Sequence, residues 1–211
     1  MNKKHPILFR IKEGEHQRLD FKYEISDCHK IAKTISAFAN TDGGSLLIGV
    51  KDNGKISGIQ SEEEIYMIEA AATLYCIPAI SIEIKNWVVD NKTILEAIIP
   101  AIAEPPCFAI DEKRKKQAYI RVKDEKFIAN DILLCAWKKK KRKEGILLRL
   151  SYPVKKLLSY LEAHPYITPR MFCKQAHIPY ATAKTIISDL LATDILSYTI
   201  AERKIVYIRS T

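Results

Sequence analysis

The run Lys138-Lys139-Lys140-Lys141-Arg142-Lys143 gathers six cationic side chains on consecutive residues. Ammonium and guanidinium groups at that density can neutralise the phosphates of a polyanion and release its condensed counterions. The charge continues beyond the run. Residues 145–211 carry nine basic and four acidic side chains, whereas residues 1–137 carry 19 basic and 20 acidic ones. The formal net charge of +9 therefore sits in the run and behind it. In that basic part, Tyr180, Lys184, Thr185 and Ser188 fall along one predicted helix. They offer phenol, ammonium and hydroxyl groups that can meet base edges. Arg203 and Lys204 lie at a predicted hairpin tip and can anchor phosphates without reading sequence. A second cluster, Lys113-Arg114-Lys115-Lys116, falls in a predicted loop and serves phosphate contact or solubility equally well.

The elements that must hold these groups can be read from periodicity. Val154, Leu157, Leu158 and Leu161 mark an amphipathic helix after Pro153. Thr168 caps a second helix, with Pro169 in the favoured first position, running to about Ala176. Pro179 opens a third, whose Ala183, Ile186, Ile187 and Leu190 can face inward. Ile195 to Tyr198 and Lys204 to Ile208 read as strands joined by a polar tip at Ala201-Glu202-Arg203. Three short helices and a terminal hairpin are the layout of a winged helix-turn-helix. The segment from Pro179 to Leu191 resembles the recognition helices of bacterial winged-helix regulators. That resemblance implies a transcriptional regulator with duplex DNA as the partner, the third helix entering the major groove. A homodimer would double the recognition helices and suit a two-fold operator.

The first two-thirds of the chain has a different pattern. Asp27 is a plausible N-cap for a helix carrying Ile31, Ile35, Phe38 and Ala39 at helical spacing. Asn40 to Gly44 form a turn, and Leu46 to Val50 suit a central strand. Ser61 and Glu64 have capping-box spacing before a helix that stops short of Pro78. Ile80 to Ile84 alternate as a strand, Val88 to Lys92 turn, and Thr93 to Ile99 return. Cys107 to Ile110 and Gln117 to Val122 flank the basic loop as partner strands. A helix from Asn130 ends in the lysine run. The expected fold class is α+β, with a mixed-sheet domain over 1–137, a basic linker over 138–150 and the winged helix over 151–211.

Three separated segments of the first domain resemble the Schlafen-type AlbA-like family, in the family's order. They are Gly14-Glu15-His16-Gln17-Arg18-Leu19-Asp20-Phe21-Lys22, the run Ser36 to Val50 extended to Gly58, and Ala118-Tyr119-Ile120-Arg121-Val122. Asp20 stands where the family usually shows Glu. The resemblance implies a second function class. Some relatives are metal-dependent ribonucleases that use three carboxylates, and Glu15, Asp20 and Asp52 stand in the matching places. Such a trio would hold Mg or Mn to activate water, with Lys22 on the phosphate. The competing role for Glu15 and Asp20 is in ion pairs that support the fold, and for Asp52 in the Asp-Asn-Gly turn. Without the nuclease, no cofactor is expected.

Other classes are set aside by composition. The chain is 47% hydrophobic and 28% charged, as in globular domains. No apolar stretch approaches a membrane span. Five cysteines, Cys28, Cys76, Cys107, Cys135 and Cys173, show no C-x-x-C spacing, so neither a disulfide framework nor a zinc site is expected, and a reducing cytoplasm is the simplest setting. There is no G-x-x-x-x-G-K-[ST] loop to cradle a nucleotide.

Overall fold

Leu19 and Phe21 alternate with Asp20 and Lys22, so this strand sends apolar and charged side chains to opposite faces of its sheet. The structure is a computed structural model and describes residues 5–142 and 145–210. Contacts divide the chain after Ile128 into two compact units.

The first unit begins with helix α1 (Pro6–Glu13), strand β1 (Leu19–Lys22), helix α2 (Cys28–Ala39) and strand β2 (Gly44–Ile48). It continues through α3 (Glu63–Thr73), β3 (Cys76–Ile77), β4 (Glu83–Val89) and β5 (Lys92–Ile99), then β6 (Phe108–Ile110), β7 (Lys116–Val122) and β8 (Glu125–Ile128). These strands form two four-stranded sheets, ordered β1-β2-β5-β4 and β3-β6-β7-β8. In the first, β1 and β2 are parallel and the other pairs antiparallel. Strand β2 is central and buried on both faces. Leu46 and Ile48 join Ile31, Ile35 and Phe38 of α2 and Ile68 of α3 in the larger core. Leu47 joins Ile7 and Ile11 of α1, with Leu19 and Phe21, in the smaller one.

The turn before β2 demands glycine. Gly43 has φ +65°, and a Cβ there would come within 2.8 Å of both Ile99 O and Ala101 N. Asn40, just upstream, ties α2 to the second sheet. Its amide donates to the carbonyls of Cys107 at 2.8 Å and Tyr119 at 2.9 Å, and its Oδ1 accepts from Cys107 N–H at 2.6 Å. Ser36 Oγ donates to the same Cys107 carbonyl and accepts from Tyr119 N–H. The helix-turn-strand run is thus specific because its polar residues hold β6 and β7, the two inner strands of the second sheet.

Several expectations are corrected. Strand β4 lies later than Ile80 to Ile84, because Asp90 and Asn91 both take positive φ and make a two-residue hairpin that pairs Val89 with Lys92. Val88 and Val89 therefore extend the strand. Helix α1 and strands β1 and β8 had no sequence assignment. The Ser61–Glu64 box is also rearranged. Glu64 is buried and accepts from Gln60 N–H at 2.7 Å and Ile25 N–H at 3.0 Å, while Ser61 Oγ accepts from Glu63 N–H at 3.1 Å.

The second unit holds α4 (Asp131–Lys140), α5 (Tyr152–Ala163), α6 (Pro169–Ala176), α7 (Tyr180–Ala192) and the antiparallel pair β9 (Leu196–Ala201) and β10 (Lys204–Arg209). Ile167 bridges to Tyr207 beside that hairpin. Thr168 caps α6 by accepting from Met171 N–H at 3.2 Å. Glu202 and Arg203, both with positive φ, form the tip. Helix α4, capped by the Asn130 side chain, was expected to close the first domain. It instead packs on α7, with its apolar Ile132, Leu133 and Ala136 buried, so the boundary falls ahead of it.

Candidate functional site

Asp20 is the most confined of the chemistry-bearing residues, 4% exposed on the face of β1 opposite Leu19 and Phe21. Arg121 of β7 reaches it with Nη2 at 3.1 Å from Oδ1. The same guanidinium is 1% exposed, donates to the carbonyls of His16 and Leu19, and lies over the Phe38 ring. Lys22 Nζ stands 2.9 Å from Asp20 Oδ2 and also donates to the Phe21 carbonyl. Burial pushes the Asp20 carboxyl up, but the charges of Lys22 and Arg121 outweigh it and hold the group below its ordinary value. Glu15 accepts from Phe21 N–H at 2.8 Å. Burial pushes Glu15 up, the Phe21 hydrogen bond opposes, and neighbouring Asp20 adds to the rise. Two adjacent carboxyls are therefore driven in opposite directions.

Asp52 does not join them. It is exposed in the turn between Lys51 and Gly54, and among the described residues no three His, Cys, Asp or Glu side chains form a group able to hold a metal ion. The three-carboxylate expectation is corrected on this point. The carboxylate of Asp20 instead meets two cations, which is what its depth in the sheet requires.

Next to this pair opens a cleft of about 420 Å³, lined by Lys22, Lys30, Lys33, Lys126, Tyr119 and Ile25 among others. Lys126 Nζ donates to Thr34 Oγ1 at 2.7 Å. Sequence reasoning missed Lys30, Lys33, Lys126 and the roles of Arg121, Ser36 and Asn40. The spacing of Lys30 and Lys33, three apart on α2, was the signal available for a shared helix face.

In the second unit the predicted nucleic-acid residues separate. Lys138, Arg142, Arg203 and Lys204 are exposed, as is Tyr180 at the start of α7. Thr185 is exposed and its hydroxyl donates back to the Ala181 carbonyl at 3.0 Å. Ser188 is fully buried, which corrects its outward placement. Its Oγ accepts from Lys139 Nζ at 2.7 Å, and that ammonium also stands 2.7 Å from Asp189 Oδ1. Lys140 pairs with Asp194 and Lys184 with Asp131, each at 2.7 Å. The hydrogen bond from Lys184 to Asp131 raises the Lys184 pKa. Lys141 caps α4 at its C-terminal end, and Lys143 lies outside the described residues. Part of the cationic run thus serves the α4–α7 contact.

The comparison with known proteins follows the first unit. The family described as Schlafen, AlbA_2 matches residues 15–130. The chain belongs to the Schlafen AlbA_2 family. The matched stretch of this Schlafen AlbA_2 chain contains Glu15, Asp20, Lys22, Asn40, Arg121 and the whole lysine cleft. Among solved structures, the DIP2311 protein from Corynebacterium diphtheriae is similar at 18% identity and a TM-score of 0.45, over 70% of this chain and 30% of that one. The chain therefore spans less than a third of that relative's length. The N-terminal domain of a putative ATP-dependent DNA helicase RecG-related protein from Nitrosomonas europaea is similar at 23% identity and a TM-score of 0.39, over 56% of this chain and 82% of that one. Among the described residues no helix is long and apolar enough to cross a membrane.

Proposed function

We propose that this Schlafen AlbA_2 chain binds nucleic acid and acts as a transcriptional regulator, with duplex DNA taken by the second unit in the manner of a winged helix. The observation that carries the reading is the order α5, α6, α7 and then a tight hairpin whose tip exposes Arg203 and Lys204. The isolated bridge from Ile167 to Tyr207 supports the reading, since such a wing is joined by a short segment at that place in the chain. Family membership supports nucleic acid as the partner class.

The packing of α4 narrows the reading face. Lys184 and Ser188 are engaged by α4, which leaves Tyr180, Ala181, Thr182 and Thr185 exposed along the start of α7. These residues would face base edges, and the hairpin tip would hold the flanking phosphates. Two copies would present two such helices to a two-fold site, and light scattering at DNA-binding concentrations reads that state. The test of the main reading is duplex binding by fluorescence anisotropy across added salt. Log affinity should fall linearly with log salt. Binding that stays flat with salt sinks it.

A further inference from the structure

The lysine cleft of the first unit belongs to no part of the duplex-DNA reading. Its cationic lining comes from three elements: Lys22 from β1, Lys30 and Lys33 from α2, and Lys126 from β8. Two acids also line it, Glu24 and Asp27. Asp27 is turned to the backbone, where it accepts from His29 N–H at 2.8 Å and Lys30 N–H at 3.4 Å as the cap of α2. Lys22 is matched by Asp20. Among the described residues, neither Lys30 nor Lys33 has a carboxylate at ion-pair distance. The cleft therefore holds cations in excess of its anions.

Lys126 shows the same shortage of counter-charge. The residue as a whole is exposed, but its ammonium turns to the Thr34 hydroxyl. Loss of water pulls its pKa down, Asp20 offsets this in part, and Lys22 and Arg121 add to the fall. A bound anion would relieve that crowding of like charges.

The lining also includes apolar and aromatic side chains. Ile25 and Ile31 are buried there, and Tyr119 stands half-buried beside them. Tyr119 is fixed through its backbone, since Ser36 Oγ takes its N–H and the Asn40 amide takes its carbonyl. The ring is thus held on a rigid strand. Lysines and a positioned aromatic ring lining one cleft suit a ligand with a phosphate and a flat base. About 420 Å³ lies within the size range of small-ligand clefts, roughly 300–1,000 Å³.

We infer that the cleft between α2, β7 and β8 is a nucleotide site, taking a 5′-phosphate on Lys30, Lys33 and Lys126 and an unpaired base against Tyr119. The ligand is a free mononucleotide or the 5′ end of a single strand, which share this chemistry. The site uses residues of the first unit alone, whereas the duplex reading uses residues of the second.

The experiment uses the full chain at low salt, by calorimetry, with three probes: inorganic phosphate, dTMP and a 5′-phosphorylated oligothymidylate. Variants are Lys30→Gln with Lys33→Gln, Tyr119→Leu, and Arg203→Ala. Thermal melting confirms that each remains folded. The double lysine variant should weaken dTMP about tenfold or more, as expected for lost charge-assisted contacts. Tyr119→Leu should weaken dTMP while leaving inorganic phosphate unchanged. Arg203→Ala should leave dTMP unchanged while weakening duplex, so the two readings fail independently. Binding of dTMP assigns the free nucleotide as a ligand, and binding of the oligonucleotide alone assigns the strand end. No binding of either, equal binding in the lysine variant, or phosphate bound as tightly as dTMP overturns the inference.

Discussion

Lys139 Nζ lies 2.7 Å from Asp189 Oδ1 and equally close to Ser188 Oγ, so a lysine of the cationic run fastens α4 to α7. Both partners are largely shielded from water, which makes the contact worth more than a surface pair. Lys139→Met should lower the stability of the second unit by about 1–3 kcal/mol, because it leaves the half-buried Asp189 carboxylate without its cation and removes a donor from Ser188 Oγ, which keeps its own bond to the Thr185 carbonyl. Lys138→Met, one residue away and exposed, should stay within about 0.5 kcal/mol. Urea unfolding of both variants checks this, and equal midpoints would refute the clamp.

Arg203 and Lys204 should govern the salt dependence of duplex binding. Each change to Ala should reduce the log–log salt slope by about 1 and weaken all sequences alike, since phosphate contacts position without reading. Ser188→Ala should leave duplex affinity unchanged because the hydroxyl is buried. Anisotropy titrations at several salt concentrations give both results.

Asn40→Ala should cost about 2–4 kcal/mol, because the Cys107 N–H and the Cys107 and Tyr119 carbonyls lose a buried partner together. The first unit should melt earlier, as followed by circular dichroism. A neutral Asn40→Ala would mean that water replaces the amide.

Asp20 and Glu15 should tilt acid stability in opposite directions. The Asp20 pKa is lowered on folding, so its contribution is complete above the unfolded value of about 3.9 and is lost as pH falls below it. The Glu15 pKa is raised, so the folded state takes up a proton first and gains stability as pH falls towards about 4.3. Asp20→Asn should flatten the loss at the acid end, at the expense of a lower overall midpoint because Arg121 keeps its buried charge without a counter-ion. Glu15→Gln should remove the gain on the higher side. Urea midpoints measured across this range test both signs.

Much of the fold was legible from local signals. Asp27 and Thr168 cap the helices their positions suggest, because a side-chain oxygen before a helix has backbone N–H groups at hand to bind. The run Leu46 to Val50 reads as a central strand because it is short and apolar, and β2 covers Gly44–Ile48, starting two residues earlier and ending before Gly49. Strand β1 was missed because four residues carry too little periodicity, and its charged Asp20 and Lys22 resemble surface until Arg121 is placed. The family, and its motif residues Glu15, Asp20 and Lys22, could be read from residue order alone.

Composition and spacing settled which residues carry charge and where helices such as α2 and α6 start, and the resemblance of three ordered motifs pointed to the family. They could not settle what each charge meets. Helix α4 has an apolar face that needs a cover, and nothing local says whether the cover lies before or after it in the chain. Only the folded chain lays it on α7, pairs the candidate nucleic-acid contacts Lys139 and Lys184 with Asp189 and Asp131, and leaves Asp52 apart from the Glu15–Asp20 pair. Ion pairs form between groups brought within a few ångströms, and that distance is set by packing between elements far apart in sequence.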